Sequence, residues 1–192
     1  MAIDPVRRFR SWHAEAGKAG APLHDAVALA TADSRGRPSV RYVLLKSADE
    51  RGFVFYTNAG SRKGRELEAN PFAALAIYWD VTGKQVRVEG RVRGVTRAEA
   101  DAYWEERPRV SRVASLASSQ SEPVSDRASL MATYRRLDAE LAGESIPRPE
   151  HWTGYRIVPS RIEFWTRREP RLHHRELFVK KSGSWTRTIL QP

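Results

Sequence analysis

An α+β protein built on a barrel-like antiparallel sheet is the fold this sequence predicts, on three observations. Short β-rich runs follow one another with turn-forming stretches between them, as in "AVALATAD", "VRYVLLKSAD" and "FVFYTN". A later run, "KQVRVEGRVRGVT", alternates apolar and polar residues, the pattern of a strand with one solvated face. Beyond a leading helix, helical patterns interrupt the strands in two places, after the third run and after the fifth.

Taken in order, Asp4-Pro5 predicts a helix start, with Asp as N-cap and Pro at the first position. Val6, Phe9 and Trp12 recur at helical spacing and carry that helix to about Ala16. Strands follow from Ala26 and through "VRYVLLKSAD", separated by the turn-forming "SRGRPS". Glu50-Arg51-Gly52 then turns the chain into "FVFYTN". A helix from Ser61 to Asn70 is ended by Asn70-Pro71; "FAALAIYWD" is the fourth strand and "KQVRVEGRVRGVT" the fifth. Thr96-Arg97-Ala98-Glu99 is a capping box, opening a helix that Pro108 stops. Helices in "VSRVASLASS" and "DRASLMATYRRLDAELAG" come next, the second closed by Gly143. The strand regions "YRIVPSRIEFWTR" and "ELFVKKSGSWTRTIL" end the chain, with Ser182-Gly183 suited to a tight hairpin.

The chain has 192 residues, enough for one domain with a real core, so a single domain over residues 1–192 is expected. Hydrophobic residues at 41% and charged residues at 29% are ordinary for a soluble globular chain. No apolar run approaches a membrane span, and "MAIDPVRRFR" lacks a signal-peptide core, which predicts a cytoplasmic protein without a membrane partner. The absence of cysteine excludes disulfides and thiolate metal sites, and the five histidines have no metal-ligand spacing, so no metal is expected. A net charge of +10 invites a nucleic-acid reading, but the cations are scattered and no zinc-finger, RNP or basic-zipper pattern appears. No nucleic-acid partner is expected; local anion sites suit such scattered charge better.

No dinucleotide fingerprint, P-loop, nucleophile elbow or His-Glu-x-x-His occurs. What remains is cations suited to phosphates. Arg41 and Lys46 bracket the second strand, and Arg107 ends the capped helix one turn after Tyr103. Arg62 and Lys63 stand at a helix start, where partial positive charge disfavours cations. Either that pair is solvated, or an anion sits between it and the helix N–H groups. In "RLHHR", Arg171, His173 and Arg175 share one strand face by the two-residue period, with His174 opposite.

Together "RYVLLK", "FYTNAGSRKGRELEANP", "KQVRVEG", "AYWEERPRVS", "SSQS" and "IEFWTRREPRLHHR" resemble the pyridoxamine 5′-phosphate oxidase family, in matching order over nearly the whole chain. The resemblance implies an FMN-binding split barrel that works as a homodimer with FMN at the interface. It implies oxidation of pyridoxine or pyridoxamine 5′-phosphate to pyridoxal 5′-phosphate, with oxygen as acceptor and hydrogen peroxide released. Arg41, Arg62, Lys63 and Ser121 would face the FMN phosphate. The run Tyr42, Val43, Leu44, Leu45 and Lys46, together with Tyr56, Thr57, Gln85, Gln120, Trp165 and Arg175, would complete the cofactor site. Lys46, Tyr103, Arg107 and Ser111 match positions that hold the substrate phosphate. Arg171, Leu172 and His173 match those at the substrate's pyridine end, with Arg171 and His173 in the catalytic role. Two departures are His174, where the family is usually acidic, and Arg167-Arg168, where it is commonly small. The alternatives are a related flavin oxidase of the phenazine-biosynthesis type, against which Lys46 speaks, and a non-catalytic FMN or pyridoxal phosphate binder.

Overall fold

The computed structural model describes residues 4–192. Asp4 caps the first helix, α1 (Pro5–Lys18), by accepting from the N–H groups of Val6 and Arg7. The sheet then runs through β1 (Ala26–Ala32), β2 (Pro38–Leu44), β3 (Ser47–Asp49) and β4 (Gly52–Asn58). Helix α2 (Arg62–Ala69) leads to β5 (Phe72–Trp79) and β6 (Lys84–Gly94). Three helices, α3 (Arg97–Glu106), α4 (Arg109–Ala117) and α5 (Arg127–Glu140), precede β7 (Trp152–Thr166), β8 (His174–Lys181) and β9 (Ser184–Leu190).

All pairings are antiparallel, in the order β2-β1-β5-β6-β7-β4-β3, with β8 on β7 and β9 on β8. The strand that shapes the sheet is β7. One edge pairs with β6, while the other pairs with β4 over Trp152–Ile157 and with β8 over Arg161–Thr166. Pro159 falls at this exchange, opposite a register shift at Glu89/Gly90. A residue without an N–H is tolerated at such a bulge. The result is the curled sheet of an α+β half-barrel, as the alternation predicted.

The continuous strand expected in "VRYVLLKSAD" is broken at Leu45-Lys46. Leu45 N–H donates to Asp25 C=O and Lys46 N–H to Val54 C=O, each at 2.8 Å, so the chain leaves β1 for β4 between adjacent residues. Local β propensity runs through the break, and a change of partner strand overrides it.

One face of the sheet and α1 enclose the main core. Phe9 meets Phe53 edge-on at 4.9 Å, and Trp12 meets Phe164 at 5.0 Å. A helix of this length is marginal alone, and burial of Val6, Phe9 and Ala16 holds it. Each buried large side chain contributes about 1.5–3 kcal/mol. A second core of Trp104, Val113, Ile146 and Trp152 lies under α3 and α4, where Trp104 Nε1 donates to Ile146 C=O at 2.7 Å. At the β8–β9 hairpin Ser182 and Gly183 both take positive φ, 45° and 84°, the geometry of a two-residue primed turn. Among the described residues no helix is long and apolar enough to cross a membrane, and no group of three or more His, Cys, Asp or Glu is placed to hold a metal ion.

Candidate active site

A cavity of about 970 Å³ opens between β2, the end of β4, the start of α2, the α3–α4 corner and the loop after α4. Its wall collects Arg41, Tyr42, Val43, Leu44 and Lys46 from β2 and just beyond it, and Tyr56, Thr57, Arg62 and Lys63 from β4 and α2. Tyr103, Arg107 and Ser111 join from the α3–α4 corner, and Gln120 and Ser121 from the following loop. Five cations line the cavity and no Asp or Glu does. β2 contributes consecutive residues from Ser39 to Leu44 to this wall, while Leu45, at the strand change, is buried in the main core.

At one end, Ser61 caps α2 by accepting from Gly64 N–H, and the helix start carries Arg62 and Lys63. Arg62 is drawn onto its own helix, Nε donating to Glu66 Oε1 at 2.8 Å one turn on. Lys63 is only 7% exposed, and its ammonium donates to Gln120 Oε1 at 2.8 Å, Thr57 Oγ1 at 3.0 Å and Ser61 Oγ at 3.1 Å. All three acceptors are neutral. Burial first, and the Arg41 guanidinium second, push the Lys63 amine down to about 8, against the opposing pull of Glu66. The pair is therefore not simply solvated: one cation is braced by a carboxylate and the other is desolvated.

At the other end, Arg107 caps α3 and Ser111 lies in the first turn of α4, so the two are held by different helices across the Pro108 corner. Arg107 Nη1 donates to Ser115 Oγ at 2.9 Å, and its guanidinium lies 4.6 Å from the Trp152 ring centroid. Burial lowers its affinity for its proton, and among the described residues no carboxylate pairs with it. Lys46 reaches Asp25 at 3.7 Å and stands 5.9 Å from the Tyr103 ring. Between the ends, Tyr56 stacks on Tyr103 at 4.1 Å and on Trp152 at 5.3 Å, forming an aromatic wall.

Gln85, Trp165, Arg175, Arg171, Leu172 and His173 do not line this cavity. They form a second group on β6, β7 and the approach to β8: Gln85 pairs with Trp165 across the sheet, and Trp165 with Arg175. The His173 ring lies 4.5 Å from Trp165, and His173 Nδ1 accepts from Arg168 N–H at 3.3 Å. Arg175 Nε donates to Glu163 Oε1 at 2.8 Å; Glu163 is 3% exposed and also accepts from Arg87 at 2.5 Å. The expectation that Arg171, His173 and Arg175 share one strand face is corrected. Strand β8 begins at His174, and Arg171 has φ 80° in the preceding loop, so alternation does not reach back to it. His174 turns instead to Glu176, 3.2 Å away.

Sequence reasoning missed Trp152, Ser115 and Ser39 in the cavity wall, and Glu66 behind it. Glu66 had a readable signal, a carboxylate one helical turn after Arg62. Ser115 and Ser39 were also within local reach, one helical turn after Ser111 and two strand positions before Arg41, whereas Trp152 is brought in from the start of β7 by tertiary packing.

Residues 14–139 match the family model described as pyridoxamine 5′-phosphate oxidase, and residues 152–192 match that of the pyridoxine 5′-phosphate oxidase C-terminal dimerisation region. The pyridoxine/pyridoxamine 5′-phosphate oxidase of Anaeromyxobacter dehalogenans (strain 2CP-C) is 53% identical over 191 residues, covering 100% of this chain and 96% of the relative. That of Myxococcus xanthus (strain DK1622) is 50% identical over 189 residues, covering 98% and 92%. Among solved structures, PhzG from Burkholderia lata 383, in complex with tetrahydrophenazine-1-carboxylic acid, matches with a TM-score of 0.94 at 38% identity, over 98% of this chain and 93% of that one. A pyridoxamine 5′-phosphate oxidase-related, FMN-binding protein from Nostoc punctiforme PCC 73102 shares the fold, with a TM-score of 0.78 at 16% identity and full coverage of both chains.

Proposed function

The chain belongs to the pyridoxamine 5′-phosphate oxidase family, and from that premise we propose that it oxidises pyridoxine or pyridoxamine 5′-phosphate to pyridoxal 5′-phosphate with FMN and oxygen, releasing hydrogen peroxide. The observation that carries this reading is a cavity lined by five cations and no carboxylate, with the cations gathered at both ends of an aromatic wall. Such a donor set fits phosphate monoesters, each carrying about −1.5 to −2 charge at neutral pH.

The Lys63 site tests the fit to FMN. Its ammonium is buried against three neutral oxygens and has no hydrogen-bonded counter-ion among the described residues. Arg41, Arg62, Lys63 and Ser121 would hold the cofactor phosphate, with Thr57 and Gln120 fixing Lys63 from behind. When bound, FMN supplies the two-electron acceptor that oxygen restores. Lys46, Tyr103, Arg107 and Ser111 would hold the substrate phosphate, Arg107 as a forked donor held over the Trp152 ring. Anchoring both phosphates fixes the reacting rings against each other and turns encounter into near-attack geometry.

Trp165, Arg171, Leu172, His173 and Arg175 lie outside the cavity and within residues 152–192, the stretch matching the dimerisation region. We assign them to the cavity of a second copy of this chain, so that two identical chains share two sites. Arg171 would guide the amino or hydroxyl end of the substrate. His173 Nδ1 accepts a backbone N–H, which places the proton of the neutral ring on Nε2 as a donor for the pyridine end. For the alcohol, one oxygen molecule is reduced to hydrogen peroxide as the substrate loses two electrons and two protons, one proton from C4′ and one from its hydroxyl. The amine consumes one water besides and releases ammonia.

The likeness to PhzG favours a second reading, in which a reduced phenazine carboxylate occupies the substrate end. An assay of peroxide release separates the two. Release with pyridoxine 5′-phosphate and not with unphosphorylated pyridoxine is expected; equal release with both, or with neither, overturns the B6 reading.

A further inference from the structure

Glu66 is an anomaly in an anion site: a carboxylate only 6% exposed, placed directly behind the cationic end of the cavity but not in its wall. Both oxygens are engaged. Oε1 accepts from Arg62 Nε at 2.8 Å, and Oε2 accepts from Ser39 Oγ at 2.6 Å, from Arg41 Nη2 at 3.2 Å and from the Thr31 hydroxyl. Arg41 Nη1 also donates to Thr31 Oγ1 at 2.5 Å, so that hydroxyl ties guanidinium and carboxylate together from below. Three of the residues bound to Glu66 (Ser39, Arg41 and Arg62) line the cavity, and they come from β2 and α2, which this carboxylate joins. Burial opposes the charged form, yet the bonds from Ser39, Thr31, Arg62 and Arg41 hold its carboxyl down to about 2, so it is an anion throughout the physiological range.

We propose that Glu66 is a positioning residue for phosphate recognition: it fixes the Arg41 and Arg62 guanidinium groups, and with them their charge, at the wall of the cavity. By Coulomb's law a negative charge there weakens anion binding. It is favourable only if orienting two long, rotamer-rich side chains in advance outweighs that repulsion. The inference rests on the FMN reading above and adds a residue that touches no ligand.

The test titrates the FMN-free protein with FMN and with riboflavin, which lacks the phosphate, following quenching of flavin fluorescence. Glu66→Gln keeps the shape and one acceptor oxygen while removing the charge. The expected result is FMN affinity falling about tenfold or more, on the scale of lost charge-assisted hydrogen bonds, with riboflavin affinity changed less than about twofold. Unchanged or tighter FMN binding by this variant overturns the inference, since removing the charge would then only have relieved repulsion. So does a parallel loss for both flavins, the mark of a role in folding alone. Thr31→Val gives a second arm should Glu66→Gln not fold. Removing the Thr31 hydroxyl that ties Arg41 to Glu66, with the carboxylate and its direct Arg41 contact intact, is expected to weaken FMN several-fold and riboflavin not at all; no selective loss overturns the inference. A wild-type protein that binds FMN no better than riboflavin overturns the FMN reading itself, an outcome distinct from failure at Glu66.

Discussion

The Lys63 ammonium lies 2.8 Å from Gln120 Oε1, and this contact ties the start of α2 to the loop after α4 across the cationic end of the cavity. The charged groups facing Lys63 are Arg41 from β2 and Glu66 from its own helix, while β4 and the loop offer only the neutral Thr57 and Gln120. Its amine is lowered from 10.5 to about 8, so the folded state holds this proton less tightly than the unfolded chain. That costs stability fully below about pH 8, and the cost fades as pH rises from about 8 toward 10.5. A phosphate docking beside Lys63 reverses the shift. FMN binding at about pH 9 is therefore expected to take up a large fraction of a proton, and close to none at about pH 7. Calorimetry in buffers of different ionisation enthalpy measures the uptake, and Lys63→Met should abolish it. Proton uptake that survives this variant would assign it to another group.

Arg107 gives a prediction for the substrate end. Its guanidinium lies 4.6 Å from the Trp152 ring centroid and is bonded to Ser115, and it has no carboxylate partner among the described residues. Lysine cannot reproduce that fork or that stacking. Arg107→Lys should raise the KM for pyridoxine 5′-phosphate about tenfold or more, the scale of a lost charge-assisted bond, while FMN content stays at the wild-type level. Loss of FMN in step with KM would place Arg107 at the cofactor instead.

If, as proposed, two copies of the chain share each site, variants of the two groups of residues should complement one another. Lys63 lies in the cavity wall, while Arg171 lies outside it in the dimerisation-region match. Lys63→Met and Arg171→Ala homodimers should each show little turnover, the second with FMN still bound. Mixed and re-formed, a heterodimer holds one doubly altered site and one intact site, so activity should return toward about a quarter of wild type if subunits pair at random. If both residues serve a site within one chain, mixing restores nothing.

Much of this site was legible because its chemistry is local. The caps at Asp4 and Thr96 stand where the sequence placed them, the helix expected from Ser61 starts at Arg62 with Ser61 as its cap, and "SRK" and "RPRVS" put cations at the start of α2 and the corner after α3. The break at Leu45-Lys46 was not legible, because both sides of it favour strand and the switch is made by backbone partners far along the chain. Arg171 shows the same limit. A left-handed backbone at a non-glycine costs roughly 1–2 kcal/mol in isolation, so alternation was the reasonable expectation, and the loop packing that overrides it is tertiary. Ser121, a cavity residue with φ 76°, is a second such case. Trp152 was invisible for another reason: its role as the platform under Arg107 depends on β7 starting beneath α3.

The last prediction concerns how α1 is held to β8. Glu176, on β8 and 4% exposed, accepts from Arg8 of α1 at 2.5 Å and from Arg187 of β9 at 3.2 Å, with His174 also 3.2 Å away. Arg8 in turn lies over the Phe164 ring at 4.4 Å, so the ion pair is also a packing contact. The Arg8 hydrogen bond is the main influence lowering the Glu176 carboxyl, with burial opposing it and the charges of Arg8, His174 and Arg187 adding to it. A depressed carboxyl contributes stability that is present above its unfolded value of 4.5 and lost as pH falls through the folded value. Glu176→Gln should thus lower the melting temperature at about pH 7, by the equivalent of about 1–3 kcal/mol for a lost charged hydrogen-bond partner, since Arg8 and Arg187 keep partial access to water. The gap between wild type and variant should narrow from about pH 7 to an acid pH below 4.5, as the wild-type carboxyl approaches its lowered folded value. Thermal melts at both pH values measure it, and a gap that stays constant would show that Glu176 acts by shape and not by charge.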